Sequence, residues 1–320
     1  MVEDLWLLFA IVVIACAVIG FWVAREFGRR AVAVMASCVL VALVMVWINY
    51  EVFSFNSWAA GSGWRSLIVF APSLILGLGV WLWSGRSERH WGAGAWWVLL
   101  LVLGPGLITY VPRISVQSVP GLGSMDAVAH STDPKFVQLL WWALASIALY
   151  VLIPVIYAKV FGQRIRGYGL SLSFVKTEVM MFLLVAPVIA VLVWLATADL
   201  RFQHMYPFYS MQPDDPNGVT KLLIFELVYG LSFVALEFFF RGFLVHAGNK
   251  VVGVHAVALM ALSYCLIHLG KPLPECLSSL IGGLLLGYVS LKLKSIAVGV
   301  VAHLTMAWGT DAAVLWRSSG

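Results

Sequence analysis

The sequence predicts an all-α, polytopic transmembrane helical bundle of about ten spans, and three observations carry that expectation. Hydrophobic residues make up 62% of the chain and charged residues 11%, against about 45–50% and about 25% in ordinary soluble domains. The excess is concentrated in runs close to the ~20 apolar residues that cross a bilayer as a helix. Backbone amides in such runs have no water to bond, so each run must be helical.

The chain opens Met1-Val2-Glu3-Asp4 and passes straight into an apolar run. A secretory signal would begin with basic residues and carry a shorter apolar stretch, so the first segment reads as a retained transmembrane helix. The candidate spans are 5–24, 31–49, 66–84, 94–112, 137–158, 177–198, 222–246, 251–269, 276–291 and 295–315. Pro72, Gly104-Pro105-Gly106, Pro154 and Pro187 are expected to kink their helices. Gly283 and Gly287 form a GxxxG pattern that lets another backbone come close.

Charge sorts the loops. Arg25, Arg29, Arg30, Arg86, Arg89, Lys159, Arg164, Arg166, Lys176, Lys250, Lys292 and Lys294 fall on one side. The other side, with both termini, holds Arg65, Arg113, Lys135, Arg201, Lys221, Lys271 and Arg317, together with most of the acidic loop residues. The excess of basic residues on the first side places both termini outside the cytoplasm. The net charge of +5 then reflects basic cytoplasmic loops, and no nucleic-acid partner is expected. Cys16, Cys38, Cys265 and Cys276 form no CxxC pair and read as buried, inert thiols.

The two longest loops are 113–136 and 199–220. In the second, an aromatic half (Asp199 to Tyr209) suits the membrane interface and a half from Gln212-Pro213 to Gly218 suits a turn. The last hundred residues hold nearly all the ionisable groups inside spans. The chain therefore divides into N-terminal transmembrane helices, 1–130, to which no role is assigned, and a C-terminal membrane domain, 137–320, that holds the chemistry.

Ionisable groups inside a membrane are costly and mark function by default. Spans seven to ten contain Glu226, Glu237, Arg241, His255, His268, His303 and Asp311. Glu237 and Arg241 are i,i+4 neighbours, and a carboxylate beside a guanidinium can stay ionised, as a general base must. The plainer reading of this pair is mutual neutralisation. Glu226 and Asp311 read as groups that reach the interface. Tyr264 and His268 are again i,i+4. Three helices thus each deliver one candidate: Glu237, His268 and His303. A carboxylate can activate water, and imidazoles can orient it and stabilise an oxyanion. The same trio could hold a zinc ion with one position open, but no HExxH is present and no cofactor or resident metal is expected.

These residues resemble the CAAX-protease and bacteriocin-processing family of intramembrane proteases, whose pattern is EExxxR, then FxxxH, then HxxxN or HxxxD on successive helices. Glu237-Phe-Phe-Phe-Arg241-Gly242 resembles the end of the first motif, Tyr264-Cys-Leu-Ile-His268 the second with Tyr for Phe, and His303 the start of the third. The resemblance covers about 222–315. Leu236 stands at the first Glu, to which the family gives the base role, and Ala307 stands at the Asn or Asp that helps bind the oxyanion. The resemblance therefore implies a single-Glu variant with Glu237, Arg241, His268 and His303 as its catalytic residues.

The function expected is an intramembrane endopeptidase of the glutamic type. The family implies membrane-associated polypeptide substrates, sometimes prenylated C-termini and sometimes leader peptides. The protein is expected in a bacterial inner membrane. Two other readings stand beside this one. An inactive scaffold or immunity protein would use the same groove to bind a partner, with Leu236 and Ala307 as its evidence. A proton-relay transporter is weaker, because no internal repeat is visible. Convergence of Glu237, His268 and His303 is what a shared site requires.

Overall fold

A computed structural model describes residues 2–84, 91–125, 128, 131–170, 176–211 and 214–318. Arg86, Arg89 and Gln212-Pro213, used in the charge and turn arguments, lie outside the described residues. The helices in chain order are α1 (Val2–Phe27), α2 (Arg29–Trp47), α3 (Phe55–Ala59), α4 (Gly63–Val69), α5 (Ala71–Trp83), α6 (Trp91–Tyr110), α7 (Pro134–Val160), α8 (Lys176–Ala196) and α9 (Leu200–Met205). They continue with α10 (Gly218–Glu237), α11 (Val245–Val252), α12 (Ala256–Leu266), α13 (Leu273–Leu293) and α14 (Ala297–Ser318). Two π-helical segments, Ile48–Val52 and Phe238–Leu244, follow α2 and α10. No strand occurs among the described residues.

Among the described residues, seven helices are long and apolar enough to cross a membrane, or eight if the bent pair α4–α5 is one span, so this is an integral, multi-pass membrane protein. The expected figure of about ten differs for identifiable reasons. The expected span 66–84 is the α4–α5 pair, bent by 50°. The expected span 177–198 corresponds to helix α8, Lys176–Ala196. The expected spans 222–246 and 251–269 fall in one apolar stretch of 49 residues, Gly218–Leu266. A straight helix of that length would run about 74 Å, over twice a hydrocarbon core of ~30 Å. The chain instead breaks at Gly253, whose φ of 69° lies in the left-handed region that glycine enters without steric cost.

The chain forms two compact units. The first comprises Met1–Tyr110, Ile153–Ser171 and Phe238–Ile296. Here α12 is buried along its whole length and packs against α13 and α2. The GxxxG of α13 serves that contact: a Cβ on Gly283 would lie 3.1 Å from Ala261 Cβ, and one on Gly287 would lie 2.7 Å from Val257 Cγ1. On α1, Val12, Cys16, Ile19 and Val23 face inward. Leu7, Ile11, Ile14, Val18 and Phe21 form an exposed apolar stripe that lipid, not water, would solvate. In α6, Pro105 leaves the Leu101 carbonyl without its helical donor, and the Ser263 hydroxyl donates to it at 3.2 Å. All four cysteines are buried and free.

The second unit comprises Val111–Leu152, Leu172–Glu237 and Ala297–Gly320. In it α14 packs against α8 and α10. Tyr209, Phe225, Tyr229 and Ala307 form a buried cluster. Near the start of α10, Lys221 ties together Asp215 at 2.6 Å and Asp133 at 3.4 Å, and the Tyr209 hydroxyl donates to Asp133 at 2.9 Å. The hydrogen bond from Lys221 holds the Asp215 carboxyl below its ordinary range. Burial pushes Asp133 upward, but bonds from the Phe136 amide, Tyr209 and Lys221 outweigh it and hold that carboxyl low as well.

Candidate active site

Glu237 is the last residue of α10 and is wholly buried. Its Oε1 lies 2.7 Å from Nδ1 of His303, which α14 delivers. The same Nδ1 lies 3.2 Å from the Gly299 carbonyl, one turn earlier on α14. Phe233, one turn before Glu237, stacks on the His303 ring with centroids 5.6 Å apart and an interplanar angle of 13°. The imidazole is thus held by a ring face and by a carboxylate. A glycine at 299 makes room for this carboxylate, because a Cβ there would fall 2.0 Å from Glu237 Oε2.

The two departures from the family pattern are apolar and packed. Leu236 is buried. Ala307, one turn beyond His303, belongs to the cluster with Tyr209, Phe225 and Tyr229. Aromatic packing surrounds the position where the pattern has a polar side chain.

The other two predicted residues lie in the first unit, with Tyr264 between them. Arg241 sits in the π-helical segment Phe238–Leu244 and is wholly buried. Its Cζ lies 4.0 Å from the centroid of the Tyr264 ring, a close cation–π contact in a desolvated setting. His268 meets the same tyrosine edge-on with centroids 4.7 Å apart, and Phe240 does so at 4.9 Å. His268 Nδ1 lies 2.8 Å from the Tyr264 carbonyl. Donation by Nδ1–H to that carbonyl directs Nε2 away from the helix end as the basic nitrogen.

The π segment is locally explained. Wide turns leave carbonyls displaced from the α pattern, and such turns recur at functional sites. Two of these carbonyls take side-chain donors from other helices of the unit. Trp97 Nε1 donates to Leu244 O at 3.1 Å, and Ser290 Oγ donates to Arg241 O at 3.1 Å. Because Ser290 spends its proton on Arg241, it accepts from His246 Nε2 at 3.2 Å.

The structure therefore brings Glu237 to His303, and Arg241 to His268 through Tyr264. Three features escape the sequence reading. His246 is buried and bonded to Ser290, and its place in an apolar run was the signal for it. Asp311 is buried, which corrects the expectation that it reaches the interface, while Glu226 is half-buried. The role of residues 49 and 50 in supporting the turn of His268 had no local signal. No group of three or more His, Cys, Asp and Glu able to hold a metal ion occurs among the described residues.

No curated protein and no solved structure matches the chain. A family model does match, over residues 218–309, and that stretch contains Glu237, Arg241, His268 and His303. It describes the type II CAAX prenyl endopeptidase Rce1-like proteins, so over these residues the chain is similar to them, as its three motifs imply.

Proposed function

We propose that the protein is an intramembrane endopeptidase acting on membrane-associated polypeptides, with Glu237 as the group that activates water. The observation that carries this reading is the 2.7 Å contact between Glu237 Oε1 and His303 Nδ1 in a wholly buried setting. A carboxylate bonded to an imidazole is oriented and kept accessible to a proton, and little water competes for it. In the proposed reaction the water oxygen attacks the scissile carbonyl as Glu237 takes its proton. In this reaction His303 acts as the imidazolium: its Nδ1–H faces Glu237 and the Gly299 carbonyl, and its Nε2–H donates to the oxyanion that forms. The proton then passes to the leaving amine. Arg241 and His268 enter the proposal through the motifs they carry within the matched stretch, residues 218–309.

The test is cleavage of a membrane-anchored, prenylated peptide by purified protein in liposomes. Glu237→Gln keeps the shape and the hydrogen bonding but is useless as a base, and general-base contributions run to about 10²–10⁴-fold. Full activity in that variant would eliminate Glu237 as the base. The same contact also favours a second reading, in which Glu237 orients His303 and the imidazole takes the proton. His303→Gln separates the two. It retains a donor and leaves measurable turnover if His303 serves the oxyanion, and it abolishes turnover if His303 is the base.

A further inference from the structure

The N-terminal helices have no role in the family match, yet they hold the turn on which His268 sits. Helix α12 ends at Leu266, and the chain leaves it through short backbone bonds: His268 N to Cys265 O at 3.0 Å, Leu269 N to Leu266 O at 3.4 Å and Lys271 N to His268 O at 2.9 Å. The turn that follows carries carbonyls of its own, Leu269 O and Lys271 O, and these take side-chain donors from elsewhere. Both come from one place, the π-helical segment that ends α2. Asn49, buried, donates through Nδ2 to Leu269 O at 2.8 Å. Tyr50 donates through its hydroxyl to Lys271 O. The Asn49 side chain is itself fixed, because its Oδ1 accepts from the Asn56 amide at 3.4 Å. Gly270, between the two anchored carbonyls, lies so close to Asn56 that a Cβ would stand 2.8 Å from its amide carbon.

Consecutive residues on an α-helix point about 100° apart. The wider π turn of Ile48–Val52 narrows that angle, so that neighbours 49 and 50 reach one loop. The contacts span 220 and 221 residues of sequence.

We infer that Asn49 and Tyr50 are positioning residues for His268, and that the first two helices belong to the catalytic machinery by holding that imidazole in place. The inference rests on the peptidase reading for its activity arm only. Neither residue touches substrate. They act through the backbone of the turn, whose placement sets where His268 Nε2 stands.

The experiment uses the full chain in liposomes, with Asn49→Leu, Tyr50→Phe and the double variant. Ser37→Ala on the same helix serves as control. Two readouts are taken: kcat and KM for the membrane-anchored peptide, and the rate of His268 carbethoxylation by diethyl pyrocarbonate, followed by mass spectrometry. Tyr50→Phe removes one oxygen, so it preserves the fold should Asn49→Leu fail to accumulate. The double variant is expected to lose about tenfold in kcat with KM unchanged, as misplacement of a catalytic group does. His268 labelling is expected to quicken severalfold in the variants and to match wild type in Ser37→Ala. Unchanged kcat in the double variant, or a fall in kcat without any change in His268 labelling, overturns the inference. A wild type that cleaves nothing defeats the peptidase reading instead, and labelling alone then decides whether the two residues hold the turn.

Discussion

Gly299→Ala is the substitution that discriminates most sharply between a packing role and a chemical role for Glu237. A methyl carbon at 299 would stand 2.0 Å from Glu237 Oε2 and 2.7 Å from its Cδ, where ordinary contact begins at 3.4 Å. The carboxylate must therefore retreat by about 1.4 Å, the shortfall between those two distances. It is the far end of a flexible side chain, so it can move without unfolding the helices. Retreat breaks the 2.7 Å bond to His303, and a bond to a charged group contributes about 1.5–3 kcal/mol. At about 1.4 kcal/mol per factor of ten, that loss alone is roughly 10–150-fold in rate. Misplacement of the carboxylate by more than an ångström adds to it, since about 1 Å can cost 10²-fold. Stability should change little, because Ala is favoured over Gly by ~1 kcal/mol in a helix and offsets part of the crowding. The assay is peptide cleavage in liposomes beside a thermal melt, with Gly282→Ala, which meets nothing within 4 Å, as control. Wild-type turnover in Gly299→Ala would refute the assignment of chemistry to Glu237 in this position.

Other expectations follow from the same geometry. Tyr264→Phe should keep the ring beneath Arg241 and retain activity, whereas Tyr264→Leu should lose roughly 2 kcal/mol of cation–π contact and show it in the melting temperature; equal melts for the two would count against that contact. Gly287→Val should destabilise the α12–α13 pair by about 1–3 kcal/mol through overpacking against Val257 and Met260, read by resistance to denaturing detergent. The Asp215–Lys221–Asp133 knot should loosen in acid. Both carboxyls are depressed in the folded chain, so their contribution is full above the unfolded value of about 3.9 and is lost as pH falls through the folded value. Proteolysis near 214–218 should therefore quicken at pH 3 relative to pH 7 when an acid-tolerant protease is compared with a neutral one against an unfolded standard, and equal protection at both would refute the knot.

Long apolar runs were legible because their length and composition leave the backbone no alternative. The expected 137–158 and 276–291 correspond to helices Pro134–Val160 and Leu273–Leu293. The sequence paired Glu237 with Arg241 and expected Glu237 to converge with His268 and His303; of that trio, the structure has Glu237 in contact with His303, 2.7 Å apart. The π segments were not, because five to seven residues of apolar chain look the same at either helical pitch. Asn49 and Tyr50 were silent for a different reason. A polar residue near a span end is ordinary, and only the fold shows which distant carbonyl it satisfies. Leu236 and Ala307 read as losses in the sequence, while in the structure both are packed apolar positions.

The π-helical segment Phe238–Leu244 bears on how motifs are counted. Such a turn holds one residue more than the turn it replaces while the helices on either side keep their faces. It is therefore a place where a chain can gain or lose one residue without rotating the helix beyond it. A relative with one phenylalanine fewer than Phe238-Phe239-Phe240 could close this segment to an ordinary turn and carry its arginine three positions after the glutamate, not four. A search written with fixed spacing would pass over that relative, although its helices matched these.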